Sequence, residues 1–174
     1  MKADQNKRPE KGEYNDYYHQ YVTRISGDTC QYLERQGESF ATLINSVPED
    51  KWDYRYAEGK WSIRELIGHI LDGERIFVYR ALAIARGEKE SLPGFDENAY
   101  VANGRFAHRS AESFYKEFIN IRQSTLDFYR YLDGRDWDRS CVVNGHPMTV
   151  RAIAYIIGGH LAHHMEILSE RYLD

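Results

Sequence analysis

Apolar residues recur along most of this chain at the three- and four-residue spacing of amphipathic helices, and no segment shows a sustained period of two. Four such stretches follow one another. The first runs from about Asp28 to Val47, with Leu33, Phe40, Leu43, Ile44 and Val47 on one face, Asp28 as N-cap and Pro48 as a stop. The second opens at Ser62, where Ser62 and Glu65 form an S-x-x-E capping box and Trp61 can staple onto Leu66. It continues through Ile70, Phe77 and Leu82 to Arg86, and Gly87 stands at the C′ position.

The third stretch begins near Ser110 and carries Phe114, Phe118, Ile121, Phe128 and Leu132 to Asp133-Gly134. The fourth opens at Thr149 and runs through Ile153, Ile156, Ile157, Leu161, Ile167 and Leu168 nearly to the C-terminus. The pattern predicts an all-α protein: a four-helix bundle, mostly antiparallel, in which short loops join neighbours. One long connection, Glu88 to Arg109, separates helices two and three, a length suited to a crossover or a lid over a site.

The chain of 174 residues has no composition break or Pro/Ser-rich linker, so it reads as one domain spanning 1–174, with residues 1–20 a flexible N-terminus. A net charge of −4 argues against a nucleic-acid partner, which needs a concentrated positive face. No stretch approaches the roughly 20 apolar residues of a membrane span, and no apolar leader follows Met1, so the expectation is a cytoplasmic protein without a membrane partner. Cys30 and Cys141 lie far apart and read as free thiols. Tyr14, Tyr17, Tyr18 and Tyr21 form an aromatic run that can cap the bundle or a dimer interface, capping being the simpler reading.

The seven histidines carry the candidate chemistry. His160 and His164 are spaced i and i+4 inside the apolar stripe of helix four, which also holds Ile153, Ile156 and Ile167. Two imidazoles at that spacing can reach one metal ion or form a water-linked pair, and spacing alone leaves both open. A third ligand would have to come from a facing helix. His69 is the candidate, although it sits on the flank shared by Glu65, Asp72 and Ile76, where pairing with Asp72 or Glu65 is equally natural. His163 falls at the edge of the stripe, as a support or a surface residue. His19, His108 and His146 read as solvated.

Trp61-Ser62-Ile63-Arg64-Glu65-Leu66-Ile67-Gly68-His69 and Gly159-His160-Leu161-Ala162-His163-His164 together resemble the signature of the DinB/YfiT-like superfamily of metal-binding four-helix bundles. The resemblance runs from about Asp28 to Leu173 and includes Leu92-Pro93-Gly94-Phe95-Asp96-Glu97 and the Glu74-Arg75 pair. It implies a divalent metal ion, zinc or nickel, held by His69, His160 and His164. It also implies a homodimer and chemistry of the kind known in the superfamily, which includes transferases that use low-molecular-weight thiols and a mycothiol-dependent isomerase.

Three neutral imidazoles leave a metal at least one open coordination position, the pattern of a catalytic site. The leading expectation is therefore a thiol S-transferase whose partners are a small-molecule thiol and an electrophile. The alternatives are a metal-dependent hydrolase, with Glu65 or Asp72 as general base, and a metal-binding stress-response protein without turnover. No catalytic side chain is singled out by the sequence.

Overall fold

Capping fixes the ends of the long helices where the sequence placed them. In this computed structural model, which describes residues 7–173, α1 is the short His19–Val22 helix and α2 spans Thr29–Ser46, capped by the Asp28 carboxylate, which accepts from Gln31 N at 2.8 Å. Helix α3, Ile63–Ala85, begins with the Ser62/Glu65 capping box, both of whose hydrogen bonds are formed. Gly87 follows it with a φ of 91°, which suits glycine. Helix α4 (Glu97–Asn103) lies in the long connection, α5 is Ala111–Arg130, α6 is the short Gly134–Asp138 and α7 is Val150–Ile167, which runs on into a π-helical turn, Leu168–Leu173.

The protein is a four-helix bundle made of α2, α3, α5 and α7. Helix α2 packs on α5 and α7, and α3 packs on the same two. Helices α2 and α3, consecutive in the bundle, therefore lie diagonally opposite. The expectation that consecutive helices are neighbours joined by short loops fails here, because the 47–62 and 131–149 connections are long enough to cross the bundle. Helices α3 and α5, joined by the long connection, do pack together.

Two elements escaped the hydrophobic pattern. Strands β1 (Ser140–Val143) and β2 (His146–Thr149) form an antiparallel hairpin around Asn144-Gly145, both with positive φ as a type I′ turn requires. The hairpin holds the long connection: Leu92 N donates to Val142 O and Asn144 N to Leu92 O, each at 2.9 Å.

The N-terminal expectation is also corrected. Residues 1–6 lie outside the described residues, but 7–25 pack against the bundle, with Tyr14, Tyr21, Val22 and Ile25 buried. Thr149 N and its hydroxyl both donate to Glu13, at 3.0 and 2.8 Å. The cause lies in α7, which is buried on every side from Val150 to Leu161 rather than along one stripe, so it needs a covering element on its outer face. Helix α1 supplies it. The approach is so close that a Cβ on Gly159 would lie 2.0 Å from the Tyr21 carbonyl oxygen.

A buried polar network ties the bundle together across its centre. Arg122 on α5 donates to both Glu74 carboxylate oxygens on α3, at 2.9 and 2.8 Å, and to Leu33 O on α2 at 2.7 Å. Thr125 adds a third hydrogen bond to Glu74, and Gln36 links α2 to Gly158 O of α7. Both charges are 4% exposed, so the bidentate geometry and extra partners are what make the pair tolerable.

Candidate metal centre

Packing of α3 against α7 brings His69, His160 and His164 together. His160 Nε2 lies 2.9 Å from His69 Nε2 and 3.1 Å from His164 Nε2, and all three side chains are buried. The rings stand nearly edge to face, with centroids 4.5 to 5.0 Å apart. Among the described residues this is the one group of three or more potential ligands close enough to share an ion.

Proton sharing alone fits this trio poorly. A neutral imidazole nitrogen offers either one N–H or one lone pair, so His160 Nε2 cannot make a full hydrogen bond to both neighbours. Burial also keeps the rings neutral: it pushes the His69 pKa down to about 4, and burial, helped by the neighbouring histidines, drives His160 and His164 well below the ordinary imidazole value. A zinc ion with Zn–N bonds of about 2.0–2.1 Å and tetrahedral angles would separate its nitrogens by about 3.3–3.4 Å, within a few tenths of those observed. The donor set therefore fits one divalent cation. His164 Nδ1 has no partner among the described residues, so no side chain fixes that ring's tautomer.

Aromatic side chains position the imidazoles. Trp61 lies against His69 with ring centroids 4.7 Å apart, while Tyr21 and Phe77 meet His160 edge to face at 5.5 and 5.6 Å. Gly73 lets the His160 ring approach the α3 backbone, since a Cβ there would lie 3.1 Å from His160 Cε1. From the sequence Trp61 reads as a staple and the tyrosines as a cap. Their contacts with the histidines depend on helix order and on the path of the N-terminal segment, which spacing does not encode.

The remaining sequence candidates lie apart from the trio. His163 is half-buried between Tyr21 and His164, and His108 and His146 are exposed. His19 is exposed too, although Tyr14 Oη reaches its Nδ1 at 3.0 Å. Glu65 is occupied by Arg55 and by Ser62 N. Burial works to raise its pKa, but those hydrogen bonds outweigh the effect and hold it below the ordinary carboxylate value. Asp72 turns toward Arg75, 3.6 Å away, and burial raises its pKa.

Beside His164 opens a cavity of about 240 Å³, walled by Trp61, Leu66, Ile167, Tyr56 and Tyr172, with Lys60 and Asn98 as polar members. Asn98 comes from α4, so the long connection does lie over the approach to the histidines. The larger surface cleft along α5, about 560 Å³, passes Arg75, Arg109 and Glu117 and touches none of the three.

A bundle of this order with buried histidines on two facing helices defines a class, and comparison with known proteins names it. The chain belongs to the DinB superfamily, whose sequence profile matches residues 32–168. It is 26% identical over 160 residues to a protein of Oceanobacillus iheyensis named as a candidate metal-dependent hydrolase, covering 90% of this chain and 86% of that one. Among solved structures it shares its fold with YfiT from Bacillus subtilis, described as a probable metal-dependent hydrolase with an unusual four-helix bundle topology. The TM-score is 0.75 at 14% identity, over 95% of this chain and 91% of that one. It also shares its fold with the mycothiol-dependent maleylpyruvate isomerase, with a TM-score of 0.63 at 12% identity, over 79% of this chain and 58% of that one. No helix of the described residues is long and apolar enough to cross a membrane.

Proposed function

We propose that this protein is a metal-dependent enzyme acting on small molecules, that His69, His160 and His164 are the ligands of one divalent ion, zinc or nickel, and that the reaction is S-transfer from a low-molecular-weight thiol to an electrophile. The observation that carries the reading is the convergence of three neutral, buried imidazole nitrogens next to a cavity of about 240 Å³. A divalent ion bound there supplies Lewis acidity, which lowers the pKa of a thiol entering its open position.

The chain's own residues do the rest. Trp61, Tyr21 and Phe77 hold the His69 and His160 rings in place. Leu66, Ile167 and the Trp61 face make a wall that keeps water from the reacting atoms. Lys60 and Asn98 offer hydrogen bonds to a polar substituent of the electrophile. S-transfer is favoured over hydrolysis because neither general-base candidate lines the cavity beside His164: the Glu65 carboxylate is committed to Arg55 and Ser62, and Asp72 turns toward Arg75.

Hydrolysis is the second reading, supported by the names of the Oceanobacillus protein and of YfiT. The test is to assay the metal-loaded protein against an electrophile panel with each of several low-molecular-weight thiols, and against esters and amides without thiol. Thiol-dependent conjugation is expected. Turnover of esters or amides without thiol would replace S-transfer with hydrolysis, and no turnover in either arm would leave a metal-binding protein without catalysis.

A further inference from the structure

Arg80 lies on the face of α3 that also carries Gly73 and Phe77, and it is only 4% exposed. One of its nitrogens donates to Pro93 O at 2.7 Å, the guanidinium also donates to the Tyr18 hydroxyl, and it sits 5.5 Å from the centre of the Phe95 ring. No Asp or Glu forms an ion pair with it among the described residues. A guanidinium carries five N–H donors and cannot give up its charge, so burying it without a counter-anion is costly. The side chain borders a partly enclosed cavity of about 220 Å³ whose other polar members include Asn15, Tyr18, Asn144 and His146. Glu97, the first residue of α4, stands half-buried on the same cavity and supplies the only acidic group lining it among the described residues.

Packed aromatic rings lie between this cavity and the three histidines. The Tyr18 ring stands on Phe77 at 6.2 Å, and Phe77 stands on His160 at 5.6 Å. Arg80 lies two helical turns beyond Gly73, against which the His160 ring packs, so about 10 Å of helix separates them. Helix α4 borders both cavities, with Asn98 in the one beside His164 and Glu97 in the one above Arg80.

We infer that the Arg80 cavity is an anion-binding site that takes the carboxylate of a small molecule. The planar fork of Arg80 matches the two oxygens of a carboxylate. Glu97 on the same cavity disfavours a doubly charged phosphate more than a singly charged carboxylate. This inference does not rest on the proposed metal-dependent reaction.

The experiment uses the full-length protein, metal-loaded and metal-stripped, with succinate as probe and succinamide and inorganic phosphate as comparison arms. Titration calorimetry measures affinity, and the Arg80 Nε–H resonance locates the site. Succinate is expected to bind saturably in both forms and to shift that resonance, while succinamide does neither. Arg80→Met should weaken succinate at least about tenfold, with Arg80→Lys intermediate and Glu97→Gln unchanged or tighter.

An unshifted Arg80 resonance in the wild type, or equal binding by a folded Arg80→Met, would overturn the site, and the wild-type measurement decides even if that variant fails to fold. Loss of stability on Glu97→Gln that disappears in the Arg80→Met background would make Glu97 the missing counter-ion and also overturn it. Phosphate outcompeting succinate at Arg80 would overturn the carboxylate assignment. Because the probe has no thiol and one arm has no metal, failure of the S-transfer reading leaves these outcomes unchanged.

Discussion

His69 Nε2 lies 2.9 Å from His160 Nε2, although 91 positions separate the two residues in the chain. The contact exists because α3 and α7 pack side by side, and His164 joins it from the next turn of α7. Loss of any one of the three should therefore cost metal affinity more than the roughly 10–100-fold typical of removing a residue that only supports a ligand. His69→Ala, His160→Ala and His164→Ala are expected to purify with little bound metal, and His163→Ala with a full complement, by elemental analysis. Stoichiometric metal in any of the first three would remove that residue from the ligand set.

The same burial sets a pH dependence for the metal-stripped protein. Burial holds the His69 pKa at about 4 against 6.5 for an ordinary imidazole. Between those values the unfolded chain binds more protons than the native one, so stability is complete above about pH 6.5 and falls as the pH drops toward 4. The melting temperature of the metal-stripped protein should decline across that window, and His69→Gln should decline less steeply. Equal slopes would mean that His69 is not held neutral by the fold.

Gly159 allows α1 to cross α7, and Gly159→Ala would drive a Cβ into the Tyr21 carbonyl. Overpacking against backbone costs about 1–3 kcal/mol or more, and each kcal/mol lowers the melting temperature of a protein this size by about 2–4 °C. A fall of several degrees is expected by calorimetry. An unchanged melting temperature would show that α1 is not seated as described.

Glu74 and Arg122 form a bidentate pair that is 4% exposed on each side. Arg122→Met alone should cost about 3–5 kcal/mol in urea unfolding, because it strands a buried carboxylate. The double variant Glu74→Leu/Arg122→Met should recover part of that loss. Strict additivity of the two single changes would argue against direct coupling.

Some of this was determined by the sequence alone. The four long helices and several of their ends were legible, because capping and hydrophobic period are local: Asp28, Ser62 with Glu65, Ser110 and Thr149 all cap the helices whose starts they marked. His160 and His164 were legible as a pair because i and i+4 share a helix face. The Asn144-Gly145 hairpin was equally local, but its short strands gave too little alternation to stand out beside the helices.

Only the tertiary structure decided the rest. Helical spacing put His69 on an ambiguous flank, and only the resemblance of its surrounding segment selected it. That the flank faces α7 depends on α2 and α3 lying diagonally opposite, which no single helix specifies. The aromatic run of N-terminal tyrosines reads as a cap on the bundle, but its segment shows too little helical pattern to say where it seats. They fold down because α7 is apolar all around and must be covered on both sides, a demand that arises only once the bundle has formed.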